Sequence, residues 1–239
     1  LLGVVLLVIT VLLTLPLRPV PPFAWLTDAE MARLTQPGPL TRLKDKVVIV
    51  TAPLWRHYWN RQPQILIDSR LLTLSAAAAD QTGLGAPTAT NTNGMRAWSL
   101  SPAELSSVLQ RLKTIPDASL LGRPRAQTAA GTSARTFFGN TVPVAGKNVP
   151  VGLSLDVSPN VRSGSIQLTI GFTSTEWVVP YQAKDTGLRT NLAVACRVML
   201  PNSGGLVVAG GNTGDIRGTN YWLILSPAAV DARGQPVKL

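Results

Sequence analysis

Two runs in the middle of the chain constrain its fold more than any other feature: Val151-Gly-Leu-Ser-Leu-Asp-Val157 and Ser165-Ile-Gln-Leu-Thr-Ile170. In each, large apolar residues alternate with small or polar ones. That period of two belongs to a strand that buries one face, and a helix cannot use it. The stretch between them, rich in Pro, Asn, Ser and Gly, predicts a turn, so residues 148–170 read as a β-hairpin. The rest of the chain agrees: 20 Gly and 19 Pro among 239 residues, with frequent Ser and Thr, suit a turn-rich β protein.

Only 14% of the residues are charged, yet the formal net charge is +10. A basic excess is compatible with nucleic acid, an anionic membrane surface or an acidic protein partner. No Lys/Arg run or basic helix concentrates it, and four Phe and three Tyr leave little for base stacking. The charge therefore reads as a mildly basic solvated surface, and nucleic acid is not an expected partner.

Residues 1–17, "LLGVVLLVITVLLTLPL", carry no charge and stop at Arg18, near the lower length for spanning a bilayer. They read as a retained single-pass transmembrane anchor; an apolar helix buried against a partner is the alternative. Pro19, Pro21 and Pro22 make a stiff spacer behind it, and Trp25 suits a membrane interface. Thr27 with Glu30 is a capping-box pattern for a short helix, and Val47–Thr51 in "KVVIVTAPLW" reads as a buried strand.

Downstream, Gln64–Ser75 reads as a long strand and Thr82–Gly94 as a low-complexity loop. The clearest helix follows: Ser101 as N-cap, Pro102 in the first turn, Glu104 completing a capping box, and Leu105, Val108, Leu109 and Leu112 on one face, ended by Ile115-Pro116. From Leu120 on, "ARTFFG", the hairpin, "TEWVVPY", "LRTNLAVACRVML", "GGLVVAGG" and "TNYWLILSPAAVD" all read as strands. The fold class is α+β, mostly antiparallel β, with one amphipathic helix packed on a sheet.

Catalytic chemistry finds little support. One His and one Cys make a zinc site improbable, and His57 and Cys196 lie far apart in sequence. Cys196, in an apolar run, reads as a small buried side chain, and a single cysteine forms no internal disulfide. "GGNTG" at 210–214 lacks the Lys and the following helix of a phosphate loop and reads as a hairpin turn. Asp156, Glu176, Asp185 and Asp215 are scattered. No residue is assigned as catalytic, cofactor-binding or metal-ligating, and no cofactor is expected.

Taken in order, the segments resemble the carboxy-terminal domain of the secretin family, the multimeric outer-membrane channels of bacterial secretion and pilus systems. The family's opening strand, P-Q-V-x-V-E-A-x-I-x-E-V, is similar to "PQILIDSRLLTLS", Pro63–Ser75. Its helix, L-S-x-P-R-x-x-T segment and following G-x-x-A correspond to "ELSSVLQRLKTIPDASLLGRPRAQTAAGTSART". V-G-x-x-L-x-V-x-P and its alternating strand match "VGLSLDVSPNVRSGSIQLTI"; "LRTNLAVACRVMLPNSGGLVVAGG" and "YWLILSPAAVD" resemble the closing motifs. The resemblance spans about residues 62–231. It departs where the family has V-P-x-L-G-D-I-P-x-L-G and this chain has "NTGDIRGTN", and only residues 18–61 separate the apolar segment from the first motif.

These readings divide the chain into an anchor (1–17), a Pro/Trp-rich neck with a short helix and strand (18–61), a secretin-like β domain (62–231) and a tail (232–239). The resemblance implies a non-enzymatic membrane subunit whose domain faces the periplasm and docks on a larger complex, such as an export, pilus, respiratory or photosynthetic assembly. A reduced secretin forming a homo-oligomeric export channel is the alternative. Expected partners are the bilayer through residues 1–17 and other membrane-complex subunits. Trp25, Trp55, Tyr58 and Trp59 are the candidate protein-interface residues, and Arg123 and Arg125, flanking Pro124, are a candidate anion site that the family resemblance makes structural.

Overall fold

The computed structural model describes residues 22–35, 63–144, 147–177, 187–210, 220–231 and 234–239. Its strands form two sheets, and every recorded strand pair is antiparallel. The five-stranded sheet runs β1 (Phe23–Trp25), β10 (Leu188–Pro201), β9 (Ser165–Trp177), β8 (Lys147–Arg162), β7 (Ala134–Val144). The seven-stranded sheet runs β3 (Ala89–Thr90), β4 (Arg96–Leu100), β11 (Gly205–Gly210), β12 (Asn220–Val230), β2 (Gln64–Leu74). Along the far side of β2, β6 (Arg125–Ala129) pairs with its first half and β5 (Ser119–Gly122) with its second.

Alternation fixes the layers. Leu153, Leu155 and Val157 of β8, Ile166, Leu168 and Ile170 of β9, and Val194, Cys196 and Val198 of β10 face one shared core. Ile65, Ile67, Leu206, Val208, Leu223 and Leu225 meet them from the other sheet. The opposite face of the seven-stranded sheet carries Leu72, Leu74, Trp98, Val207, Trp222 and Ile224, covered by Leu105, Val108 and Leu112 of helix α3 (Pro102–Thr114). The order is sheet, sheet, helix, with the middle layer buried on both sides.

The capping chemistry expected of α3 is present: the Glu104 N–H donates to Ser101 Oγ at 3.3 Å, and the Ser101 N–H to Glu104 Oε2 at 2.8 Å. Thr27 and Glu30 make the same pair at the start of α1 (Asp28–Thr35). That helix lies over the outer face of the five-stranded sheet, where a Cβ on Gly171 would fall 2.8 Å from Met31 Cε. A short α2 (Ala76–Asp80), capped by Ser75, occupies a stretch the sequence leaves unassigned.

The hairpin is present but its turn is shorter than expected. Strand β8 continues through Pro159 and Asn160 to Arg162, and only Ser163 and Gly164, at φ 49° and 75°, make the turn. Two positive φ values are what a tight antiparallel hairpin needs to follow the strand twist. "GGLVVAGG" and "TNYWLILSPAAVD" are the paired β11 and β12; residues 211–219 between them, which include most of "GGNTG", lie outside the described residues.

No helix among the described residues is long and apolar enough to cross a membrane. The anchor assigned to residues 1–17 and the strand Val47–Thr51 lie outside them. Phe23–Trp25, within the segment read as a neck, forms an edge strand on β10, and Val237 and Leu239 of the tail pack against the core.

Cys196 is fully buried in that core, and burial pushes its thiol up to about 12. The thiolate is the reactive form, so the native protein is expected to resist iodoacetamide at neutral pH and to be alkylated promptly in urea. Mass spectrometry with and without denaturant checks this; rapid labelling of the native protein would place Cys196 outside the core.

Candidate functional site

Two surface features stand out, an arginine cluster and an apolar edge, and both arise where β5 and β6 meet β2. The connection between these strands is Arg123-Pro124. Proline has no N–H to give the ladder, so it sits where the pairing breaks. Ser69, fully buried on β2, holds the corner: its N–H and its hydroxyl both donate to the Pro124 carbonyl, at 3.1 and 2.5 Å. The corner then aims the flanking side chains at the neighbouring residue of β2. Arg123 grips Asp68 in a fork, Nε to Oδ1 at 2.9 Å and Nη2 to Oδ2 at 2.6 Å. Arg125 Nε adds a bond to Oδ1 at 2.9 Å, and Arg70 approaches Oδ2 at 3.5 Å.

Burial alone would raise the Asp68 pKa. Hydrogen bonds from Arg123 and Arg125, with their charges, outweigh it and hold the carboxyl below its ordinary range. The sign follows: a carboxylate with a depressed folded pKa stabilises the fold above its unfolded pKa, and loses that contribution as pH falls through the folded value. Asp68→Asn is expected to cost about 1–2 kcal/mol at pH 7, the guanidiniums being partly solvated. The gap between variant and parent should narrow as acid protonates Asp68. Urea denaturation at pH 7 and pH 3 checks it, and a gap that widens in acid would contradict the assignment.

The arginines read as an anion site are therefore engaged by an internal carboxylate. The carboxylate partner was not among the residues singled out from sequence, since only the β2–β6 register, Asp68 opposite Arg125, brings it there. Three guanidiniums on one carboxylate leave the cluster positive.

The apolar edge lies beside this corner. Leu120 and Leu121 of β5 are 55% and 47% exposed; Phe137 and Phe138 of β7 are 43% and 66% exposed. Strand β5 ends one sheet and β7 the other, and consecutive side chains on each point to opposite faces. A Cβ on Gly122 would fall 2.4 Å from Leu153 Cδ1, Leu153 is the cross-strand partner of Phe138, and Thr136 Oγ1 donates to the Arg125 carbonyl at 3.3 Å. Among the described residues, strand β7 ends its sheet with no strand recorded on its outer side. Beyond Phe138 the β7–β8 ribbon leaves β9: Gly139 and Gly152 face each other so closely that a Cβ on Gly152 would sit 2.4 Å from the Phe138 carbonyl oxygen. Gly152, at φ 143°, bonds through its N–H and carbonyl to the Thr175 hydroxyl of β9 instead of to that strand's backbone.

Of the residues singled out as an interface, Trp25 is partly buried on β1, edge-on to Phe23 at 5.2 Å and packed on the core. Trp55, Tyr58 and Trp59 lie outside the described residues, as does His57. Among the described residues no three His, Cys, Asp or Glu gather as metal ligands.

No protein-family model and no curated protein matches the chain. Solved secretin structures do match it. The type II secretin GspD of enteropathogenic Escherichia coli aligns at 14% identity and TM-score 0.43, over 79% of this chain and 75% of that one. The type II secretion system secretin XcpQ of Pseudomonas aeruginosa aligns at 18% identity and TM-score 0.44, over 79% of this chain and 64% of its own. The type IV competence pilus secretin PilQ of V. cholerae aligns at 13% identity and TM-score 0.39, over 96% and 82%. The chain thus spans between about two thirds and four fifths of these three structures.

Proposed function

We propose that the chain is a non-enzymatic structural subunit of a bacterial secretion- or pilus-type envelope assembly, docking a secretin-like β domain on larger membrane partners. Residues 1–17 would anchor it, and the β domain would lie on the periplasmic side. The observation that carries this reading is the apolar edge. Leu120 and Leu121 are exposed on β5, Phe137 and Phe138 on β7, and β7 is an eleven-residue strand with none recorded on its outer side among the described residues. A long exposed apolar edge strand invites pairing with another chain, and proteins that work alone blunt such edges. The motif order from Pro63 to Asp231, realised as successive strands with helix α3 packed on their sheet, supports a secretin-like architecture.

A second reading, a homo-oligomeric channel, draws on a separate feature. Strand β10, fourteen residues long, is covered by β1 only at Cys196–Val198, so its sheet has a long strand near each edge. Copies pairing β7 on β10 would repeat head to tail, and such contacts form a ring when the rotation from copy to copy closes.

Purification from native membranes in mild detergent, with native mass determination and identification of co-purifying chains, tests both. One or two copies with unrelated membrane proteins is the expected result. A large assembly of this chain alone would establish the channel, and an isolated monomer would overturn both readings.

A further inference from the structure

The outer face of the five-stranded sheet holds a concavity that the apolar edge does not touch. Two rows of cross-strand neighbours floor it: Ser158, Thr169 and Arg197 in one, Asn160 and Gln167 in the next. Ser133 closes one side, its hydroxyl 2.5 Å from that of Ser158, and the Gly131 N–H donates to the Pro159 carbonyl at 2.7 Å to hold the wall. The volume is about 340 Å³, at the small end of ligand pockets.

The lining consists almost wholly of hydroxyls, amides and one guanidinium, with no acidic residue. Arg70, Arg123 and Arg125 share Asp68, Arg135 pairs with Asp156, and Arg189 faces Glu176. Arg197 has no recorded ion pair or hydrogen bond among the described residues, and its cross-strand partner Thr169 is 8% exposed. A guanidinium presents five fixed N–H donors that match a carboxylate or phosphate in pairs. Around it the Ser, Thr, Asn and Gln side chains both donate and accept, as hydroxyls of a ligand require.

We propose that this concavity binds a small polyhydroxy compound bearing an oxyanion, a sugar acid or sugar phosphate, with Arg197 on the anion and Gln167, Asn160 and Thr169 on the hydroxyls. This site is independent of the docking edge, so its failure leaves that reading standing.

Isothermal titration of the full chain with glucuronate and glucose 6-phosphate tests it, with glucose and acetate as single-feature controls. Saturable binding by at least one anionic sugar is expected, with glucose and acetate each weaker by about tenfold or more. A preference for glucuronate would assign the carboxylate source, one for glucose 6-phosphate the phosphate. Arg197→Gln should weaken the preferred sugar by about tenfold or more, and Gln167→Ala by a smaller factor, with circular dichroism unchanged. Acetate binding as tightly as glucuronate, full affinity in Arg197→Gln, or no saturation by either anionic sugar would overturn the proposal.

Discussion

Trp222→Ala is expected to destabilise the fold by about 3–5 kcal/mol, the range for emptying a large aromatic site that cannot collapse. Trp222 is 1% exposed on β12, on the face that meets α3. Its ring stacks on that of Trp98, centroids 5.8 Å apart and planes within 9°, across the intervening strand β11. Strand β11 allows this by placing Val207 and Ala209 beside the two rings. Trp98 cannot fold into the vacancy, since its Nε1–H donates to the Gly85 carbonyl at 2.9 Å and Arg96 lies over its ring. Among the described residues the buried Trp222 Nε1 has no recorded acceptor, and the ring's contribution is its packing. Trp222→Phe should therefore lose only about 1–2 kcal/mol, having shed an unpaired donor together with some volume. Urea denaturation followed by circular dichroism measures both. A cost below about 1 kcal/mol for the alanine variant would mean that α3 and the middle sheet are not packed as described.

The same layer shows where sequence reasoning reached its limit. Helix α3 was legible because its signals are local: Ser101, Pro102 and Glu104 set its start, and Leu105, Val108 and Leu112 its buried face. Strands of the outer sheet were legible because one face is wet, so β8, β9 and β10 alternate. Strand β4 was missed. Its Ala97 faces the inter-sheet core and its Trp98 faces α3, both buried, so "RAWSL" shows no period of two. The hairpin turn is narrower than residues 158–164 suggest because Pro159 and Asn160 are usual turn residues, yet the pairing continues through them.

For the candidate site the limit is different. Arg123 and Arg125 were visible beside a proline, but Asp68 lies 55 and 57 residues away and meets them only through strand register. Phe137 and Phe138 read as ordinary strand residues. Sheet order decides that β7 is an edge, and order depends on long-range pairings that no local pattern encodes.

Phe138→Asp, alone and with Leu121→Asp, should separate assembly from stability. At 66% exposure Phe138 gives up little burial within the chain, so the variant's unfolding free energy should change by no more than about 0.5 kcal/mol. In a docked edge the same ring would be a desolvated aromatic anchor, and a charge there should cost about 2 kcal/mol or more, roughly thirtyfold in affinity. Gln110→Asp, exposed on α3 away from this edge, controls for added charge. Pull-down from native membranes and native mass determination provide the readout. Loss of unrelated partners with the fold intact identifies the edge as the docking face of an accessory subunit. Loss of copies of the chain itself assigns the edge to the channel's subunit contact, because β7 can pair only with a strand that a neighbour leaves open. Retention of every partner by the double variant would exclude Leu121 and Phe138 from the docking face and from the subunit contact alike, since a charge in either desolvated contact should weaken it.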